Sequence, residues 1–232
     1  MPSSRCRPRP SRQPSAERPV TPLRDLSVGL VLTATAGFID AVGFIALGGF
    51  YTSFMSGNTT QLGTGLAIGA GWALALPVGL IVLFFVGSYI GSLTAQMAGR
   101  WGPVATLGIV VIGIATSLGL HAAGYSAVQS MLALAGAAGA QNAVLRPSGA
   151  ARLGATFVTG TLFAAGQDLA RATVGGAPRW RWAQHLLVWA SLCAGALIGG
   201  LAYGRWQVSA LYVPVAIYVI YLIWFTFHRP QK

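Results

Sequence analysis

The segment LSVGLVLTATAGFIDAVGFIAL, residues 26–47, contains a single charged residue, Asp40. The apolar character continues far beyond this segment. From Leu26 to Ala98 Asp40 is the only charged residue, and from Trp101 to Leu145 there is none. A membrane-spanning helix requires about 20 apolar residues, so each stretch is long enough for several spans. The sequence therefore predicts an all-α polytopic membrane protein.

The overall composition supports this class. Of the 232 residues, 54% are hydrophobic and only 8% are charged, whereas a soluble domain is about 25% charged. This composition excludes a soluble enzyme, and no catalytic or phosphate-binding motif is present. We therefore expect neither an enzyme nor a bound cofactor. The net charge of +11 comes from arginines scattered between apolar segments, which indicates membrane topology and not nucleic-acid binding.

The first 25 residues differ from the rest of the chain. Six arginines and six prolines lie among residues 1–24, and such a segment cannot bury a core. We predict a disordered, basic, cytoplasmic tail on a multi-pass protein of the bacterial inner membrane. The tail either fixes the N-terminus in the cytoplasm or also binds anionic lipid.

Apolar segments separated by Gly, Pro, Arg and Trp predict eight elements, grouped into two membrane repeats at 26–121 and 126–227. The elements are predicted at 26–47, 52–70, 73–98, 104–121, 126–145, 153–172, 184–203 and 208–227.

Three short motifs recur in the same order in the two halves, which indicates an internal duplication. The matching pairs are GFIDA at 37–41 with GAQNA at 139–143, SFMSGNT at 53–59 with TFVTGTL at 156–162, and GRW at 99–101 with GRW at 204–206.

Elements two and six are rich in Ser, Thr, Asn and Gly, which is unusual for helices in contact with lipid. If all eight elements cross the membrane, Arg100, Arg146, Arg152 and Arg205 face outside. If these two elements are broken or re-entrant, six full spans remain and only Arg205 faces outside. The positive-inside rule favours six spans. Each half then has an odd number of spans, so the repeats are inverted; eight crossings would make them parallel.

Asp40 is the main candidate for function, because an ionisable residue within a span is costly and usually marks a pathway. Its partner in the repeat is Asn142, and a titratable carboxylate at this position suits proton coupling. Alternatively, Asp40 forms a hydrogen bond to a Ser, a Thr or a helix terminus that only locks the packing.

The polar motifs of elements two and six provide the next candidates. Glycine allows the chain to unwind, and Ser, Thr or Asn can cap a helix that restarts within the membrane. Two such helix starts would form a pocket suited to anions or dipoles; alternatively, the small residues only allow close packing. The candidate substrate-binding residues are Asp40, Ser56, Gly57, Asn58, Thr59, Gln141, Asn142, Thr159, Gly160 and Thr161.

Two further features concern packing. Asp168 and Arg171 are three residues apart, which predicts a local ion pair on one helix face. Two pairs of glycines have the Gly-xxx-Gly spacing of closely packed helices, and serve either internal packing or a homodimer interface. These pairs are Gly87 with Gly91 and Gly195 with Gly199.

The motifs at residues 37–41, 50–59, 141–146 and 156–161 together resemble the YoaK-like bacterial membrane proteins, a family of unknown function. The resemblance extends over residues 26–227. Ser56 and Ala140 depart from the usual Thr and Met of the family pattern, and both changes are mild. The resemblance implies the architecture and the motif residues, but it implies no activity.

We therefore predict a secondary transporter or channel for a small polar or anionic solute, which binds where the two repeats meet. The alternative is a non-transporting membrane protein that binds a partner or anionic lipid through its tail and small-residue faces.

Overall fold

The computed structural model describes residues 23–144, 158–175, 178 and 180–227. Within these ranges the chain forms eight α-helices and no β-strand, which confirms the predicted all-α class. The helices are α1 (Leu23–Ala46), α2 (Met55–Ala67), α3 (Ala75–Met97), α4 (Gly102–Ala122), α5 (Ala127–Gln141), α6 (Val158–Thr173), α7 (Arg181–Trp206) and α8 (Tyr212–Phe227). Nearly all of the predicted tail lies outside the described residues.

Four stretches of the described chain are long and apolar enough to cross a membrane. They are Leu23–Ala46, Gly71–Met97, Gly99–Ala122 and Arg181–Phe227. The last is 47 residues long and contains both α7 and α8. By contrast, α2, α5 and α6 have 13, 15 and 16 residues, and at a rise of ~1.5 Å per residue each is shorter than the ~30 Å hydrocarbon layer.

The core lies where α1, α4, α5 and α8 meet. It contains fully buried side chains from each of these helices, among them Val42, Ile114, Leu134 and Tyr218. Large apolar side chains also point outward, for example Phe85 and Tyr89 of α3, which are 70% and 62% exposed. A helix that is hydrophobic on all sides needs lipid, not water, around it, so this arrangement supports a membrane location.

Helices α1 and α7 pack closely through glycine. Gly195 lies against the backbone of Ala34, and Gly199 lies against the backbone of Phe38, so a side chain at either glycine would overlap α1. Residue numbers rise together along the two helices, so α1 and α7 run parallel. We call this contact the α1–α7 interface.

Helices α3 and α5 pack in the same way. Gly87 lies against the backbone of Gly136, and Gly91 lies against the backbone of Ala140. These helices are also parallel, and we call their contact the α3–α5 interface. Both Gly-xxx-Gly motifs are thus used for packing within the chain, which is the first of the two roles considered for them.

Candidate functional site

The segment after α1 turns back along the C-terminal part of that helix. Gly48 and Gly49 have φ values of +66° and +106°, which side chains other than glycine rarely adopt. The turn places residues 51–54 beside Asp40 of α1.

Asp40 is half-buried and holds this segment through one carboxylate oxygen. Its Oδ1 atom accepts three hydrogen bonds of 2.9 Å, from the backbone N–H and the hydroxyl of Thr52 and from the backbone N–H of Ser53. Thr52 is fully buried, and Gly43 leaves the space that its side chain occupies. Because these donors converge on a charged acceptor, they fix the orientation of the carboxylate.

Asn58 of α2 supports the same segment from the other side. Its Nδ2 atom donates to the carbonyl oxygen of Tyr51 at 2.7 Å, and its Oδ1 atom accepts from the backbone N–H of Tyr51 at 2.9 Å. Gln61 donates to the carbonyl oxygen of Gly49 at 2.8 Å. These polar side chains of α2 therefore replace water as partners of the loop backbone, as burial requires.

The predicted side-chain cap of element two is wrong. The N-cap residue of α2 is Phe54, and no side chain caps the helix, because phenylalanine has no side-chain acceptor and Ser56, Asn58 and Thr59 lie within the helix. Gly57 instead lies beneath the rings of Tyr51 and Phe54, which a side chain would displace.

A cavity of about 310 Å³ opens beside Asp40. It lies between α1, the 51–54 segment, α6 and α7. Its described lining residues are Asp40, Tyr51, Ser53, Phe54, Val158, Thr159, Leu162, Trp189 and Leu192. The volume is at the lower end of the range of ~300–1,000 Å³ for small-molecule sites, and the lining combines one carboxylate with three aromatic rings.

The cavity brings together some of the predicted site residues. Asp40 from the first half and Thr159 from the second half both line it. Other predicted residues are not among those that line the cavity: Ser56, Thr59 and Gly160 are exposed, and Thr161 is buried. The Thr59 hydroxyl donates to the carbonyl oxygen of Met55 in its own helix at 2.8 Å.

Gln141 and Asn142, at the end of α5, are not among the lining residues. Gln141 Nε2 donates to the carbonyl oxygen of Leu32 at 3.1 Å and thereby joins α5 to α1. Asn142 Nδ2 donates to the carbonyl oxygen of Ala138 at 3.3 Å. Asn142 thus does not share the cavity with Asp40, although the two residues match in the repeat.

Sequence reasoning missed the aromatic lining, above all Trp189, Tyr51 and Phe54. In a membrane protein an apolar side chain that lines a cavity looks like one that faces lipid. One signal was available for Trp189: it lies in the middle of an apolar segment, whereas most other tryptophans lie at the breaks between segments.

A buried ion cluster joins α6 to α7, the two helices that also contribute to the cavity wall. Asp168 forms a bidentate pair with Arg181, with distances of 2.7 Å from Nε to Oδ2 and 2.6 Å from Nη2 to Oδ1. His185 Nε2 lies 3.3 Å from Asp168 Oδ2. The predicted partner Arg171 is present at 3.5 Å, but its side chain is 57% exposed. The main partner is therefore Arg181, 13 residues away in sequence.

Within the described ranges, no three His, Cys, Asp or Glu side chains are grouped closely enough to hold a metal ion. The chemistry available at the cavity is therefore that of a fixed carboxylate with hydroxyl and aromatic neighbours.

Comparison with known proteins places the chain in a family. Residues 28–224 match the family described as "Protein of unknown function (DUF1275)", to which the YoaK-like proteins belong. The chain is also similar to a UPF0700 transmembrane protein of Rhizobium meliloti (strain 1021), with 32% identity over 198 residues, covering 82% of this chain and 83% of the relative. No solved structure matches the chain significantly. The chain is therefore a member of the DUF1275 family of multi-pass membrane proteins, whose function is unknown.

Proposed function

We propose that this protein is a secondary transporter or channel for a small solute, which binds in the cavity beside Asp40. The observation that carries the proposal is the position of this carboxylate. It lies in the interior of α1, a candidate membrane span, and it lines a cavity to which both halves of the chain contribute. A charged group at this depth is costly unless it is paired or hydrated, and such groups usually mark a transport pathway.

The contacts of Asp40 are also compatible with a locking role, since Thr52 and Ser53 both bond to it. A carboxylate that only held the 51–54 segment in place would, however, require no cavity beside it. The half-buried state of Asp40 and its place in the cavity wall favour a carboxylate that meets a solute.

Two matching interfaces support an internal repeat. Each α5 residue of the α3–α5 interface has a number 102 higher than the matching α1 residue of the α1–α7 interface. Each α7 residue has a number 108 higher than the matching α3 residue. A further pair of contacts has the same offsets: Gly37 lies against Leu192, and Gly139 lies against Phe84. Random packing of unrelated helices would not produce three contacts with two constant offsets.

The short length of α2 supports the arrangement with six full spans and inverted repeats. With 13 residues α2 is the shortest of the eight helices, which suits a re-entrant element, and α2 and its counterpart α6 would then enter from opposite sides and meet near the cavity. Inverted repeats with a solute site at their interface are a frequent plan of secondary transporters.

The test compares two acid-to-amide substitutions in the same helix. Asp40→Asn keeps an oxygen that can accept the bonds from Thr52 and Ser53 but removes the charge. Asp25→Asn, in the first turn of α1, is the control because Asp25 does not line the cavity. Purified protein in liposomes is assayed for uptake of choline, methylamine, acetate, phosphate and glucose.

We expect the wild type and Asp25→Asn to transport at least one of these solutes, and Asp40→Asn to lose that transport while it still unfolds in a cooperative thermal transition. Undiminished transport by Asp40→Asn would contradict the role given to this carboxylate. Deleting residues 1–24 should leave transport intact. If the full-length protein transports none of these solutes, and the deletion abolishes its binding to anionic vesicles, the lipid-binding alternative is correct.

A further inference from the structure

We propose that the solute is a small organic cation with an ammonium group, and not an anion. This inference rests on the proposed function, because it concerns the ligand of the same cavity.

The charge of the cavity wall favours a cation. Among the described residues that line the cavity, Asp40 is the only charged one, and it forms no ion pair with any described basic side chain. The nearest basic groups along α6 and α7 are those of the ion cluster, where Arg181, His185 and Arg171 all lie within 4 Å of Asp168. A carboxylate in hydrocarbon needs a countercharge, and a cationic solute would supply it.

The aromatic lining of the cavity also favours a cation. Tyr51 and Phe54 contact each other edge to face with centroids 5.2 Å apart, and Trp189 faces the cavity from α7. Aromatic faces attract cations through their quadrupole, and several rings around one carboxylate are the usual recognition site of a quaternary ammonium group.

Of the two helix starts that could offer donors to an anion, α6 places Val158 and Thr159 in the cavity wall, whereas α2 contributes no residue to it. The backbone N–H of Met55 bonds to the carbonyl oxygen of Ser53, and those of Gly57 and Asn58 bond to the carbonyl oxygen of Phe54. These donors are therefore used within the turn, and an anion in the cavity would instead meet the carboxylate of Asp40.

The test uses three probes of similar shape and different charge, added to detergent-purified full-length protein. They are choline, its uncharged analogue dimethylbutanol, in which carbon replaces the charged nitrogen, and the anion pivalate. Binding is measured by calorimetry and by the rise in melting temperature, since a ligand that binds only the folded state stabilises it.

We expect choline to bind more tightly than dimethylbutanol, and pivalate not to bind. Asp40→Asn should weaken choline binding on the order of 100-fold and should leave the weak binding of dimethylbutanol unchanged. Trp189→Leu should weaken choline binding by roughly 2- to 30-fold, whereas Trp206→Leu, at the end of the same helix and away from the cavity, should not. The tryptophan pair keeps the test valid if Asp40→Asn does not fold.

Two results would overturn the inference in different ways. If dimethylbutanol or pivalate binds as tightly as choline, the cavity binds solutes but not cations selectively, and only the ligand class is wrong. If choline binds equally to the wild type, Asp40→Asn and Trp189→Leu, the solute does not occupy this cavity, and the proposed function fails with the inference.

Discussion

Individual residues show which polar contacts can be foreseen from sequence. Asp40 could be identified because it is the only charge in a long apolar stretch. Its partners Thr52 and Ser53 could not, because they depend on a glycine turn whose direction the sequence does not reveal. The same holds for Asp168, whose neighbour Arg171 was foreseen, while Arg181 reaches it only because α6 and α7 pack side by side.

The Thr52 hydroxyl provides a test of whether Asp40 holds the 51–54 segment in place. Thr52→Val keeps the shape and the backbone donor but removes one of the three hydrogen bonds to a charged acceptor. Such a bond contributes about 1.5–3 kcal/mol, so we expect a clear drop in melting temperature. Thr60→Val is the control, since that exposed hydroxyl bonds only within its own helix. Equal effects of the two substitutions would contradict the stabilising role of the bonds to Asp40.

The ion cluster makes a second prediction. Asp168 and Arg181 are both buried, and removal of one partner of a buried pair costs about 3–5 kcal/mol. We therefore expect Asp168→Asn to lower the stability of the detergent-purified protein strongly in thermal unfolding. Arg171→Gln removes the exposed partner of the same carboxylate and should cost less than ~1 kcal/mol. A large effect of Arg171→Gln with little effect of Asp168→Asn would show that the exposed pair dominates.

At the scale of whole elements, hydropathy predicted the number and order of the helices well. Polarity also singled out the second element as unsuited to an ordinary span, although its predicted range of 52–70 is longer than α2. The helix start was predicted less well: α2 begins after Phe54, whose side chain cannot cap it, and Asn58 lies within the helix and bonds to the backbone of Tyr51. A sequence pattern of capping residues does not predict tertiary contacts of this kind.

The close helix interfaces can be tested with two glycines of α7. Gly195 lies against α1, whereas Gly204 faces open space. Gly195→Ala should destabilise the protein by about 1–3 kcal/mol through overpacking. Gly204→Ala should be neutral or stabilise slightly, because alanine restricts the unfolded chain. Thermal unfolding in detergent measures both; a neutral Gly195→Ala would contradict the α1–α7 contact.

For the whole molecule, the repeat was indicated by three short motifs, and the packing of α1 with α7 and of α3 with α5 adds independent support for it. The sequence also indicated that the halves would converge on one site. Asp40 and Thr159 lie in one cavity, but Asn142 lies elsewhere. Sequence symmetry does not fix which positions face the centre, because the remaining helices pack differently around the two halves.

The direction of each helix distinguishes inverted from parallel repeats. With six spans, Ala123, between α4 and α5, faces outside, and Ala98, between α3 and α4, faces the cytoplasm. Eight crossings reverse both positions. After Cys6 and Cys193 are replaced by serine, we expect an impermeant thiol reagent to label Ala123→Cys in intact cells and Ala98→Cys only after permeabilisation. The opposite labelling pattern would establish eight crossings and parallel repeats.

The most direct test of the account is whether water-soluble reagents reach the cavity within the membrane. In the same serine background, Ser53→Cys and Thr159→Cys, one from each half, are treated in membranes with a cationic methanethiosulfonate reagent. Leu197→Cys, on the outward face of α7, is the control. We predict that both cavity cysteines react and that the control does not. If the cavity cysteines are as unreactive as the control, the two halves do not enclose a solute site at Asp40.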